Sequence, residues 1–149
     1  MTSIRRKAHG RDGERGSELI EFMIVFPLLL LIVSGIVDFG FLFRSYEVVT
    51  NAAREGARIG ILPNYSTADV ESRVATYLTA AGLTKTPTTT VGQVTVTLAS
   101  GKTVSVYQVR VIYPHTFSLL APIASYFGGT FGTIYVSGVS AMRQEMPAS

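Results

Sequence analysis

The chain has 149 residues, 47% of them hydrophobic, and a mean hydropathy of +0.33, which excludes a disordered protein and leaves room for one small domain beside a membrane segment. The formal charge of +3 lies wholly before Ser17, where Arg5, Arg6, Lys7, Arg11 and Arg15 outweigh Asp12 and Glu14, so no basic patch is left for a nucleic acid. There are no cysteines and two histidines, which excludes a disulfide framework and the usual zinc ligand sets.

Residues 1–16 form a basic leader, polar and glycine-containing, with disorder expected through residue 15. The apolar run Phe22–Val37 follows. Extended through Phe43, the segment 22–43 rises ~33 Å as a helix, enough to cross a ~30 Å hydrocarbon core if Asp38 is tolerated. The alternative is a buried helix of a soluble core. A basic head before such a run places the head in the cytoplasm and the rest outside it. No small-x-small cleavage site follows the run, so an uncleaved signal anchor fits better than a removable signal, with a cut before the run as a third possibility.

Glu18 and Glu21 stand just before the run. As solvated residues they complement the positive end of the helix dipole. Alternatively, a cut after Gly16 frees an amine on Ser17, a natural partner for Glu21 at the edge of hydrocarbon. Pro27 removes one helical hydrogen bond, either as a tolerated membrane proline or as a point where the helix bends. Asp38 is read as an interfacial solvated residue or as an intersubunit contact.

Beyond the run, helix formers continue to Ile61, giving a helix over 17–61. Ala52, Gly56 and Gly60 share one face, with Ala53 and Ala57 beside them. Such a stripe allows close approach of the protein's own domain or of another helix. Arg54, Glu55 and Arg58 are expected to face water or lipid headgroups. Pro63 and Asn64-Tyr65-Ser66 make a turn, and Thr67 is the expected N-cap of a helix carrying Val70, Val74, Tyr77, Leu78 and Ala81, stopped by Gly82. Residues 84–90 are a polar connector. Val94, Val96 and Leu98 alternate along a strand, Ser100-Gly101-Lys102 turns, and residues 104–113 return as a second strand closed by Pro114. Residues 116–127 are a short broken helix, Gly128–Gly132 a loop, and 133–142 a third strand. The expected class is α+β: a long N-terminal helix, then a small domain over 62–149 with a helix and a short antiparallel sheet.

RGSELIEF, the early Pro27, GIVDFG at Gly35–Gly40, NAAREGARIG at Asn51–Gly60 and SAMRQE at Ser140–Glu145 together resemble the TadE-like pseudopilins of tight-adherence (Tad, Flp-type IV) pilus systems. The resemblance is strongest over residues 15–60. It implies a prepilin-peptidase cut between Gly16 and Ser17, with Glu21 as the carboxylate that guides assembly; Glu18 is expected to act with it as an assembly carboxylate by charge pairing. The implied role is that of a minor pilin or pseudopilin in pilus assembly and adhesion. Implied partners are other pilins or pseudopilins, the inner-membrane assembly platform, the peptidase and the lipid bilayer. The implied location is the bacterial inner membrane, crossed once. The competing reading is an uncleaved, membrane-anchored periplasmic scaffold or binding domain.

No catalytic constellation stands out. His9 lies in the leader, which leaves His115 without a nucleophile motif, and the Gly128–Gly132 loop lacks the lysine and spacing of a phosphate loop. No metal, cofactor or enzymatic activity is expected.

Overall fold

The computed structural model describes the backbone of residues 12–143 and the side chains of residues 16–143. In chain order come α1 (Asp12–Gly60), α2 (Thr67–Ala80), β1 (Thr88–Thr97), β2 (Thr103–His115), α3 (Leu120–Tyr126) and β3 (Ile134–Arg143). The strands form one antiparallel sheet in the order β1-β2-β3. The class is the expected α+β.

Helix α1 rises ~73 Å over its 49 residues. It starts at Asp12, so residues 12–15 are helical where disorder was expected. Glu14, Arg15 and Glu18 favour helix, and no proline intervenes before Pro27. The rest of the leader, residues 1–11, lies outside the described residues. The helix runs on through Pro27, whose missing N–H leaves the Met23 carbonyl without its helical donor.

Helix α2 is capped one residue earlier than expected. Ser66 is the N-cap, and its hydroxyl and backbone N–H exchange hydrogen bonds with Asp69 in a capping box. At the other end Gly82 turns at φ +82°, while the N–H groups of Gly82 and Leu83 close on the carbonyls of Thr79 and Leu78. That is a Schellman stop, which the glycine permits.

Both hairpin strands are longer than the sequence pattern suggested. Thr88, Thr89 and Thr90 belong to β1 rather than to a connector, because they pair with Ile112, Val111 and Arg110. Pro114 does not close β2. It pairs with Tyr135, at a height where β1 has already ended at Thr88, so the proline interrupts no central ladder.

The core lies where one face of the sheet meets α1 and α2. Val49, Ala52, Ala53 and Ala57 of α1 are fully buried with Val70 and Val74 of α2 and Val109 and Val111 of β2. Tyr107 lies against Gly60, the last residue of α1. Beyond that height the hairpin has no helix to cover it. Val94, Val96 and Leu98 are therefore exposed, although their alternation reads as a half-buried strand.

Strand β3 approaches α1 to backbone contact. A Cβ placed on Gly138 would lie 2.8 Å from both the Thr50 Cα and the Val49 carbonyl oxygen. Backbone cannot swing aside as a side chain can, so the helix and strand would have to separate. Gly138→Ala is expected to destabilise the domain by about 2 kcal/mol. Denaturant unfolding in detergent, followed by circular dichroism against the parent chain, checks this.

Candidate functional site

The N-terminal part of α1 stands clear of the domain. Gly16, Ser17, Glu18 and Glu21 are exposed, and the two carboxylates lie three residues apart, neighbours on the helix surface. From Leu19 to Val33 the large apolar side chains stay bare, with Met23 74% and Ile24 71% exposed. Within Gly16–Gly60 an 18-residue window reaches a mean hydropathy of 2.6 with 6% of it buried, so the helix is long and apolar enough to cross a membrane. Exposed apolar surface on that scale needs lipid or other helices around it.

The domain takes hold of α1 at Ser34, Asp38, Ser45 and Val49, all buried on one face. Asp38 is 1% exposed. One carboxylate oxygen accepts the Ser118 N–H at 3.2 Å, and the other accepts those of Leu119 at 3.0 Å and Leu120 at 2.7 Å. These N–H groups lead into α3, whose N-cap is Leu119 and which has no cap from its own side chains. Asp38 thus caps α3 from another helix. Of the two expected roles, solvated interfacial residue and intersubunit contact, neither describes this carboxylate in the folded chain. The sequence held no trace of it, since Ser118 directly before Leu119-Leu120 reads as a cap candidate of its own.

Above Asp38, Ser45 and His115 form a second buried polar contact. The Ser45 hydroxyl donates to the Phe41 carbonyl at 2.9 Å, which leaves its oxygen to accept from His115 Nδ1 at 3.1 Å. The other ring nitrogen, Nε2, is buried without a partner. A cleft of about 260 Å³ opens beside them, with Arg44 and Lys85 on its wall. Both cations are engaged by the chain itself, Arg44 on the Ala81 carbonyl at 2.8 Å and Lys85 on the Thr116 hydroxyl at 2.8 Å. Among the described residues no cluster of His, Cys, Asp or Glu could hold a metal ion.

The small-residue stripe of α1 faces the chain's own domain. A Cβ on Gly56 would press on Val70, Val74 and Val109, and one on Gly60 would enter the Tyr107 ring. Ala52 is fully buried. Glu55, expected to face water, is largely covered and bridges to Arg73 of α2 at 2.8 Å, with Arg58 at 3.6 Å.

The chain is thus an α+β head built on the far half of a long helix whose near half is bare, apolar and long enough to cross a membrane, a layout that suggests membrane anchoring. Residues 16–58 match the family model described as TadE-like protein, so the family resemblance holds over this segment and supports a pilin-like protein associated with a Tad pilus. No curated protein and no solved structure matches the chain.

Two outcomes are expected of the buried polar groups. Asp38→Ala strands one buried N–H and two partly buried ones, and is expected to cost about 3 kcal/mol. Asp38→Asn keeps one acceptor oxygen and should cost less. Thermal unfolding in detergent, with limited proteolysis at the 116–134 segment, measures both.

Burial, with Lys85 adding to it, holds the His115 pKa below its ordinary value. The unfolded chain then takes up the proton first, so the stability is present above about pH 6.5 and is lost as pH falls below that toward the lower native value. The unfolding midpoint is expected to drop between about pH 7.5 and about pH 5.5. His115→Asn, which keeps the donor to Ser45 and cannot charge, should flatten that part of the profile.

Proposed function

We propose that the chain is a minor pilin or pseudopilin that acts in assembly of a Tad pilus, a structural role rather than a catalytic one. The observation that carries the reading is the division of α1. Its upper half is committed to the domain, while its lower half is apolar and bare, directly after the exposed carboxylates Glu18 and Glu21. In this reading α1 is held in the inner membrane with its basic end in the cytoplasm and the α+β head outside it. A prepilin peptidase cuts after Gly16. The new amine of Ser17 pairs with Glu21 of a neighbouring subunit, and the bare helix surface exchanges lipid for other pilin helices. Other pilins or pseudopilins and the inner-membrane assembly platform are then its partners, and adhesion follows from the filament it helps to build.

One observation favours a second reading. The helix continues without a break from Asp12 through Gly16 and Ser17, and a regular helix does not offer an extended scissile bond. An uncut anchor carrying a periplasmic scaffold or binding domain accounts for that continuity.

Intact mass and N-terminal sequencing of the membrane-derived protein, with and without the cognate prepilin peptidase, separate the two. A peptidase-dependent start at Ser17 is expected, and Gly16→Val should retain the leader. A leader kept under both conditions would establish the fixed anchor. A start beyond residue 35 would remove both readings and leave a free exported domain.

A further inference from the structure

The foot of the domain combines three features that the assembly reading does not use. The first is its height. The backbone at Ser118–Leu120 is bound to Asp38, and a Cβ on Gly35 would lie 4.0 Å from the Leu120 side chain. The start of α3 therefore sits beside the last turn of the apolar run that ends at Val37.

The second is composition. From Thr116 through Met142 the chain carries no charged residue. Two cations lie at its rim, Lys85 on the Thr116 hydroxyl at 2.8 Å and Arg44 on the Ala81 carbonyl at 2.8 Å, while Arg54, Glu55 and Arg58 on α1, Glu71 and Arg73 on α2, Lys102 at the hairpin turn and Arg110 on β2 lie farther along the head.

The third is exposure. Tyr126 is 86% exposed, Tyr135 72% and Phe127 62%, with Leu119 and Phe131 also open. A line of ring contacts joins this surface to the anchor helix. Phe39 meets Phe117 at 6.0 Å between centroids, and Phe117 meets Phe131 at 5.5 Å. Phe39, Phe41 and Phe43 on α1 are themselves exposed at this level.

An aromatic-rich surface, uncharged from Thr116 to Met142 and set beside the end of the apolar run Phe22–Val37, has an obvious neighbour. Tyrosine and phenylalanine rings are favoured in the headgroup zone, and a domain face free of charge enters it without stranding an ion.

We infer that α3 and the loop from Tyr126 to Tyr135 are seated in the interfacial zone of the lipid leaflet on the domain's side, so that the head lies on the membrane rather than standing above it. The occupant of this face is the same bilayer that holds α1, reached through the continuous Phe39–Phe117–Phe131 contact. Seating adds a second, in-plane attachment that fixes the rotation of the head about the anchor. Withdrawal of α1 from the bilayer then also requires this surface to leave lipid.

The chain has no tryptophan, so single substitutions report on single sites. The full-length protein is placed in phosphatidylethanolamine–phosphatidylglycerol vesicles, with and without brominated acyl chains. Three variants are compared: Phe127→Trp at the foot, Met23→Trp in the apolar run and Leu98→Trp at the far hairpin tip. All three positions are exposed, so each ring is tolerated. Phe127→Trp is expected to lose about twofold in emission in brominated vesicles, as Met23→Trp does, while Leu98→Trp stays unchanged.

Quenching at Met23→Trp without quenching at Phe127→Trp overturns the seating and leaves the span intact. If Phe127→Trp is instead shielded from aqueous acrylamide only at high protein density, a second copy covers this face, and the inference falls. Absence of quenching at Met23→Trp removes the span and the seating together.

Discussion

The carboxylate of Asp38 accepts three backbone N–H groups at the entry to α3, at the height where the apolar run of α1 ends. A buried carboxylate without partners is costly, and so are helix-start N–H groups with no acceptor. Each removes the cost of the other. The pairing also ties the start of α3 to one turn of α1, at Asp38. Below that turn α1 belongs to its surroundings, and above it to the domain. The bare apolar surface, the aromatic foot and the buried core all take their positions from this contact.

Above the anchor, close packing depends on what α1 lacks. Ala52, Ala53, Gly56 and Ala57 leave the helix nearly smooth, and Val70, Val74, Val109 and Val111 fill the space. Gly138 brings β3 against the backbone at Val49 and Thr50. A sheet of three strands has little apolar area to contribute, and short distances recover in dispersion contacts what it lacks in size. The Ser45–His115 contact adds direction to this packing. It joins the foot of β2 to α1 through two polar atoms that have few other ways to be satisfied.

Below the anchor, the same helix carries large side chains that the domain leaves untouched. A helix divided in this way can exchange its surroundings without unfolding its head, which is the physical requirement for a subunit that passes from lipid to a protein assembly. The head's own core does not depend on which environment surrounds the lower half. The hairpin tip, uncovered beyond Gln93, lies at the opposite end of the sheet from the foot.

Local chemistry in the sequence determined the apolar run, the helix through Gly60, the Gly82 stop, the hairpin turn at Gly101 and the α+β class. Each depends on residues near one another in the chain: hydropathy over a span, a capping side chain, a glycine at positive φ. The TadE-like resemblance over residues 16–58 was legible for the same reason, since it lies in one continuous helix. Tertiary structure alone decided the fate of Asp38, which accepts from backbone N–H groups 80 to 82 residues away. It also decided that the Ala52–Gly56–Gly60 stripe faces the chain's own domain, that Glu55 pairs with Arg73, and that Val94, Val96 and Leu98 remain open despite their alternation. A period of two or four says that residues share a face. What that face meets depends on where distant segments end, and here α1 ends at Gly60 while the hairpin goes on.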